Sequence, residues 1–148
     1  MTYDNIRLLF GAFAPDKIVK GKHSVQEIHL FIDAMGGDHA PIAPVKGSVL
    51  ALRRDPRLRI SLAGILSEIE PLLADAGDVR GRITLVDAPE VITNHDAPAL
   101  AVRQMKKSSI VMGMLSVREG ASDGFVSAGS TGAVLVGGML RLGRIPGI

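Results

Sequence analysis

Asp33-Ala-Met-Gly-Gly-Asp38 and Ser127-Ala-Gly-Ser-Thr-Gly132 are two glycine-rich turns, each following a strand-like run, and the second opens a helix. Backbone N–H groups freed at such a turn, with those of a helix N-terminus, form a ready site for phosphate or another anion. The pair points to an α/β protein that handles a phosphorylated or phosphate-like ligand. Neither turn fits the dinucleotide pattern G-x-G-x-x-G or the P-loop pattern G-x-x-x-x-G-K-[ST], so neither of those binding modes is expected.

Working outward from the turns, the hydrophobic period alternates regularly between strand and helix. Ile28-His-Leu-Phe-Ile-Asp33 reads as a strand, and Ile42 to Arg54 as a helix with Val45, Val49 and Leu52 at helical spacing. Leu58 to Ala63 is a second strand, ending at Gly64. Leu66 to Ala76 reads as a helix with Ile69, Leu72 and Leu73 on one face, stopped by Gly77. Arg82 to Val86 is a third strand, and Ala97 to Met105 a short helix. Ser108 is placed to cap a further helix to about Glu119, with Ile110, Val111, Met114 and Val117 facing inward. Asp123 to Ser127 is a fourth strand, and Ser130 or Thr131 caps a last helix to Leu142. The order β-α-β-α-β-α-α-β-α predicts a parallel, doubly wound sheet. Ligands of such sheets bind beyond the carboxyl ends of the strands, where both turns fall.

Composition narrows the chemistry. The 148 residues are 47% apolar and only 3% aromatic, so aliphatic side chains must fill the interior. A formal charge of +2 with no long basic run argues against nucleic acid as a partner. Cysteine is absent, which excludes disulfides, thiolate metal sites and a cysteine nucleophile within the chain. The four histidines form no helical pair, so no metal site is expected. Ala128 to Leu140 is short and glycine-rich for a membrane span, and Met1 to Gln26 lacks the pattern of a signal peptide. The expectation is a soluble cytoplasmic protein. Residues 1–26 have no clear period and read as an extension or loosely attached segment, leaving 27–148 as the α/β domain. The run from Arg141 to Ile148 reads as the exit from a helix toward a further strand, as in the first part of a longer architecture.

Several residues have both a chemical and a plain structural reading. Asp33, at a strand end, would face the cleft. Asp38 would either orient a ligand or cap the helix at Ile42, while Gly36 and Gly37 would let backbone approach a ligand. Ser127, Ser130 and Thr131 offer hydroxyls beside Gly129 and Gly132, although a simple strand–turn–helix connection uses the same residues. Arg103, Lys106 and Lys107 precede a helix start that already carries partial positive charge, a conflict an anion would relieve; the alternative is a solvated basic loop. Arg53, Arg54, Arg57 and Arg59 read as a solvated face, or else as a docking patch for an acidic protein. His39 and His95 are loop histidines within reach of a cleft.

Three motifs, in order, resemble one family. Ile32-Asp-Ala-Met-Gly-Gly-Asp-His-Ala-Pro41, Ala101-Val-Arg-Gln-Met-Lys-Lys-Ser-Ser109 and Ser127-Ala-Gly-Ser-Thr-Gly-Ala133 are similar to signatures of the phosphate acyltransferases of bacterial phospholipid synthesis, the PlsX family. Ser130 stands where that motif commonly has asparagine. The resemblance implies a Rossmann-like three-layer α/β/α fold with a mostly parallel sheet, here incomplete because the family's second half is missing. It implies transfer of a fatty acyl group from acyl carrier protein to orthophosphate, with no cofactor, by a homodimer when full length, in contact with the membrane at most peripherally. Asp33 and Lys106 would be catalytic. Substrate and phosphate would be bound by Gly36, Gly37, Asp38, Arg103, Lys107, Ser108, Ser127, Gly129, Ser130, Thr131 and Gly132. The alternatives are a phosphotransacetylase or dehydrogenase on a related fold, and a non-catalytic fragment.

Overall fold

The computed structural model describes residues 26–143 together with Gly147. The expected extension over 1–26 lies, apart from Gln26, outside the described residues, as do most of the residues after Gly143. Four parallel strands, β1 (Ile28–Asp33), β2 (Leu58–Gly64), β3 (Ile83–Asp87) and β4 (Gly124–Val126), form one sheet in the order β3-β2-β1-β4. β1 is central, with Leu30 opposite Ile60 of β2 and opposite Gly124 of β4. The doubly wound, Rossmann-like class expected from the alternation is the class observed.

Strand alternation sends side chains to two faces. On one face Ile60, Leu62 and Ile83 pack under α1 (Ile42–Arg54) through Val45, Val49 and Leu52. Ile69 of α2 (Leu66–Ile69) joins them, with Leu73 from the 3₁₀ turn that follows. The sequence predicts one helix to Ala76; Pro71, which has no N–H to donate, confines the α segment to its first turn. On the other face Phe31, Ala63 and Val86 pack against Met112 of α4 (Ser109–Arg118). Behind α4, Val102 of α3 (Pro98–Gln104) and Ala133 of α5 (Thr131–Gly137) close a second cluster with Ile110, Val111 and Met114. The last helix keeps α geometry only to Gly137 and continues as a π segment over Gly138–Leu142.

Three of the four clustered arginines pair locally. Arg53 pairs with Asp78 at 2.9 Å, Arg57 with Asp55 at 2.7 Å and Arg59 with Glu27 at 2.7 Å. The side-chain hydrogen bond from Arg57 holds the Asp55 carboxyl down to about 2. These partners favour the reading as a solvated face. Arg82 has a role the sequence did not suggest: its guanidinium donates to the carbonyls of Leu52, Asp55 and Leu58, closing the C-terminal end of α1. Among the described residues no helix is long and apolar enough to cross a membrane.

Candidate functional site

The chain leaves β1 for β2 on one side, while β4 returns to lie on the other. This reversal of strand order opens a crevice at the carboxyl ends of β1 and β4, where doubly wound sheets bind ligands. The turn after β1, Asp33 to Asp38, and the turn after β4, Ser127 to Gly132, meet there.

Asp33 ties them together. It is 2% exposed, and its carboxylate accepts a hydrogen bond from the hydroxyl of Ser109 at 2.6 Å, from the hydroxyl of Ser127 at 2.7 Å and from the amide of Met35 at 3.0 Å. A buried carboxylate needs such donors, because removal from water is costly unless its oxygens are paired. Ser127 in turn accepts from the amide of Gly129 at 3.0 Å. One side chain thereby fixes the first turn, the second turn and the start of α4. The sequence reading faces Asp33 toward a cleft as a chemical group; the structure places it in the cleft lining with both oxygens accepting from protein donors.

The glycines explain how the turns come so close. A Cβ at Gly36 would lie 2.6 Å from the Asp33 carboxylate and 2.7 Å from the Gly129 amide nitrogen. Gly37 has φ +96°, and a Cβ there would lie 3.2 Å from Ala128. Both glycines are thus required by the contact between the turns, a stronger demand than the approach of a ligand. Beside them opens a cleft of about 530 Å³, its mouth formed by Gly36, Gly37, Asp38, His39, Ser127 and Ala128.

The other candidates divide by position. Asp38 is exposed at this mouth and does not cap α1, whose N-cap is Pro41 without a side-chain hydrogen bond. Ser130 is the cap of α5, accepting from the Ala133 amide at 3.4 Å, and Thr131 beside it is exposed. Gly132 packs on α3, where a Cβ would lie 2.9 Å from the Pro98 ring. Ser108 is fully buried as the α4 cap: it donates to the Met105 carbonyl at 2.8 Å and accepts from Val111 at 3.4 Å, leaving no surface for a ligand. Its neighbour Ser109, which the sequence reading passed over, is the serine that reaches the site. Arg103, Lys106 and Lys107 are exposed before the α4 N-terminus and do not line the cleft; the Lys107 amide donates to Glu90 at 2.6 Å. His39 reaches the cleft, whereas His95 sits exposed in the turn closed by Thr93 and Asp96.

Chemically, the site offers the first amides of α5, which have no intrahelical acceptor, with the Thr131 hydroxyl and a fixed loop of small residues. Both oxygens of its buried carboxylate are engaged by two hydroxyls and an amide. Among the described residues no group of three or more histidine or acidic side chains is placed to hold a metal ion.

Residues 28–148 match the family described as "Fatty acid synthesis protein". A protein named "Phosphate acyltransferase" from Levilactobacillus brevis is 52% identical over 117 residues, which cover 79% of this chain and 33% of that relative. Proteins of the same name from Shewanella amazonensis and Lysinibacillus sphaericus are 45% and 44% identical, covering 80% of this chain and 35% of each relative. The chain therefore spans about a third of the length of these relatives, rather than the half expected from the motifs. With its three motifs carried on one doubly wound sheet and a match that covers the whole of it, this chain belongs to the fatty acid synthesis protein family.

Proposed function

We propose that this chain carries the phosphate-binding part of an enzyme that moves a fatty acyl group from acyl carrier protein to orthophosphate. One observation carries the reading: two glycine-rich turns far apart in sequence are locked together by Asp33 at the strand switch point, in a chain whose relatives are named phosphate acyltransferase. Orthophosphate sits at the α5 N-terminus against the amides of Thr131 and Gly132, and Arg103, Lys106 and Lys107 supply positive charge at the same end of the sheet. A phosphate oxygen attacks the thioester carbonyl; the C–O bond forms, the C–S bond breaks, and the carrier thiolate leaves. Phosphate is itself the nucleophile, so no covalent enzyme intermediate is needed. Holding it beside the carbonyl replaces a bimolecular encounter by an oriented one, and amides aimed at the developing oxyanion stabilise it. Gly36 and Gly37 shape the side on which the thioester arrives. The reading carries with it a cytoplasmic site of action, peripheral contact with the membrane and a homodimeric full-length enzyme.

The test is phosphate-dependent release of free carrier protein from an acyl-loaded carrier, with the chain as purified. Release with formation of acyl phosphate supports the proposal; no release from a folded sample contradicts sufficiency of these residues. A second reading rests on the chain spanning a third of its relatives: a phosphate-binding piece without turnover. Saturable phosphate binding without release favours it.

A further inference from the structure

The cleft beside the two turns continues as a trough between α1 and the sheet, and the chemistry at the turns does not use its length. Its floor is Leu30, Ile32 and Val126, and its wall is Ala43, Gly47 and Ala51 of α1. These three fall at i, i+4 and i+8 and so share one flank of the helix. The other flank carries Val45, Val49 and Leu52, which fill the core over β2. Large residues anchor α1 on one side, and small ones leave about 530 Å³ open on the β4 side, within the range of ligand cavities. The ionisable residues of the lining, Asp33, Asp38 and His39, all lie at the turn end. A cavity with a polar mouth and an aliphatic body fits an amphiphile with a small polar head and an unbranched tail.

We infer that the trough holds the aliphatic chain of the acyl substrate, with the carbonyl end at the turns; this rests on the acyl-transfer reading. Gly47 provides the test. Gly47 lines the trough and a Cβ there meets no atom within 4 Å, so a side chain can start at this position and Gly47→Leu adds bulk on the trough flank. It also replaces the weak helix former glycine within α1, so loss of the fold would not explain a loss of binding.

Dodecanoate is titrated into the purified protein while the methyl signals of Leu30, Ile32 and Val126 are followed. These signals shift in the parent. In Gly47→Leu the apparent Kd rises by about tenfold or more, the effect of uncovering about two methylenes, with the melting temperature unchanged or raised. The inference is overturned by shifts confined to the exposed residues Leu135, Met139 and Leu140, by affinity unchanged in Gly47→Leu, or by no shift at all. The carrier-release assay separates the two claims. Release without dodecanoate in the trough overturns this inference alone. Dodecanoate bound there without release leaves the trough an aliphatic site and contradicts only the sufficiency of these residues for transfer.

Discussion

On the α4 side of the sheet, Phe31 and Phe125 lie with ring centroids 6.4 Å apart and press into α4 at Gly113, where a Cβ would overlap the Phe125 ring. On the α1 side, beside β4, the corresponding space is an open trough walled by alanine and glycine. Glycine occupies a helix on both sides, for opposite reasons. Gly113 lets a helix approach two rings, while Gly47 keeps a volume empty. The buried Asp33 hub belongs to the closed side, through Ser109 of α4. Rigidity is concentrated behind the two turns, and open space is kept in front of them.

If this contrast is right, substitutions of similar size have very different effects on the two sides. The largest is expected for Asp33→Ala, which strips acceptors from Ser109, Ser127 and the Met35 amide; unsatisfied buried donors cost about 1–3 kcal/mol each. A loss on the order of 4 kcal/mol is expected by denaturant titration, and a loss under 1 would show that the hub holds little. Next comes Gly113→Ala. Overpacking against the rings costs about 1–3 kcal/mol and helix propensity returns about 1 of it, so a net loss of about 1 kcal/mol is expected. A stabilised variant would mean that the closed side can yield. For Gly47→Leu on the open side, thermal unfolding should show a gain of up to about 1 kcal/mol from propensity; a clear loss would mean that the flank is packed after all.

The smallest effect concerns Asp55, half-buried at the C-terminal end of α1. Its carboxyl is held at about 2, chiefly by the Arg57 side chain, against an ordinary value of about 3.9. A depressed carboxylate contributes stability above its unfolded value and loses it as pH falls through the folded one. The stability difference between parent and Asp55→Asn should therefore be full above about pH 4 and fade toward pH 2. A difference that is constant across that window would remove the Arg57 pairing as its cause.

The strands were legible because each is a short apolar run ended by a turn residue. The extent of β1 is as expected, and β2 runs one residue further, through Gly64. Local signals also located the helix cap Ser108 and narrowed the last one to Ser130 or Thr131, of which Ser130 is the cap. What failed depends on contacts between distant segments. Pro71 is a local signal that the apolar period over Leu66 to Ala76 does not take into account. Ser109, Gly113 and the closeness of Gly36 to Gly129 cannot be read from spacing, since their partners lie on other elements. The family motif contains Ser109, yet capping rules drew attention to Ser108, which satisfies them. Asp33 was singled out from its place at a strand end, but a strand-end carboxylate looks the same in sequence whether it faces ligand or three protein donors.

The central claim is that the two turns form one anion site supported by Asp33. The most direct measurement is titration of inorganic phosphate into the purified chain while the backbone amide signals are followed. The account predicts that the amides of Gly36, Gly37, Thr131 and Gly132 shift together along a single binding curve, and that Asp33→Asn weakens this curve while the protein stays folded. Independent curves for the two turns, or shifts confined to the Arg103–Lys107 segment, would contradict it.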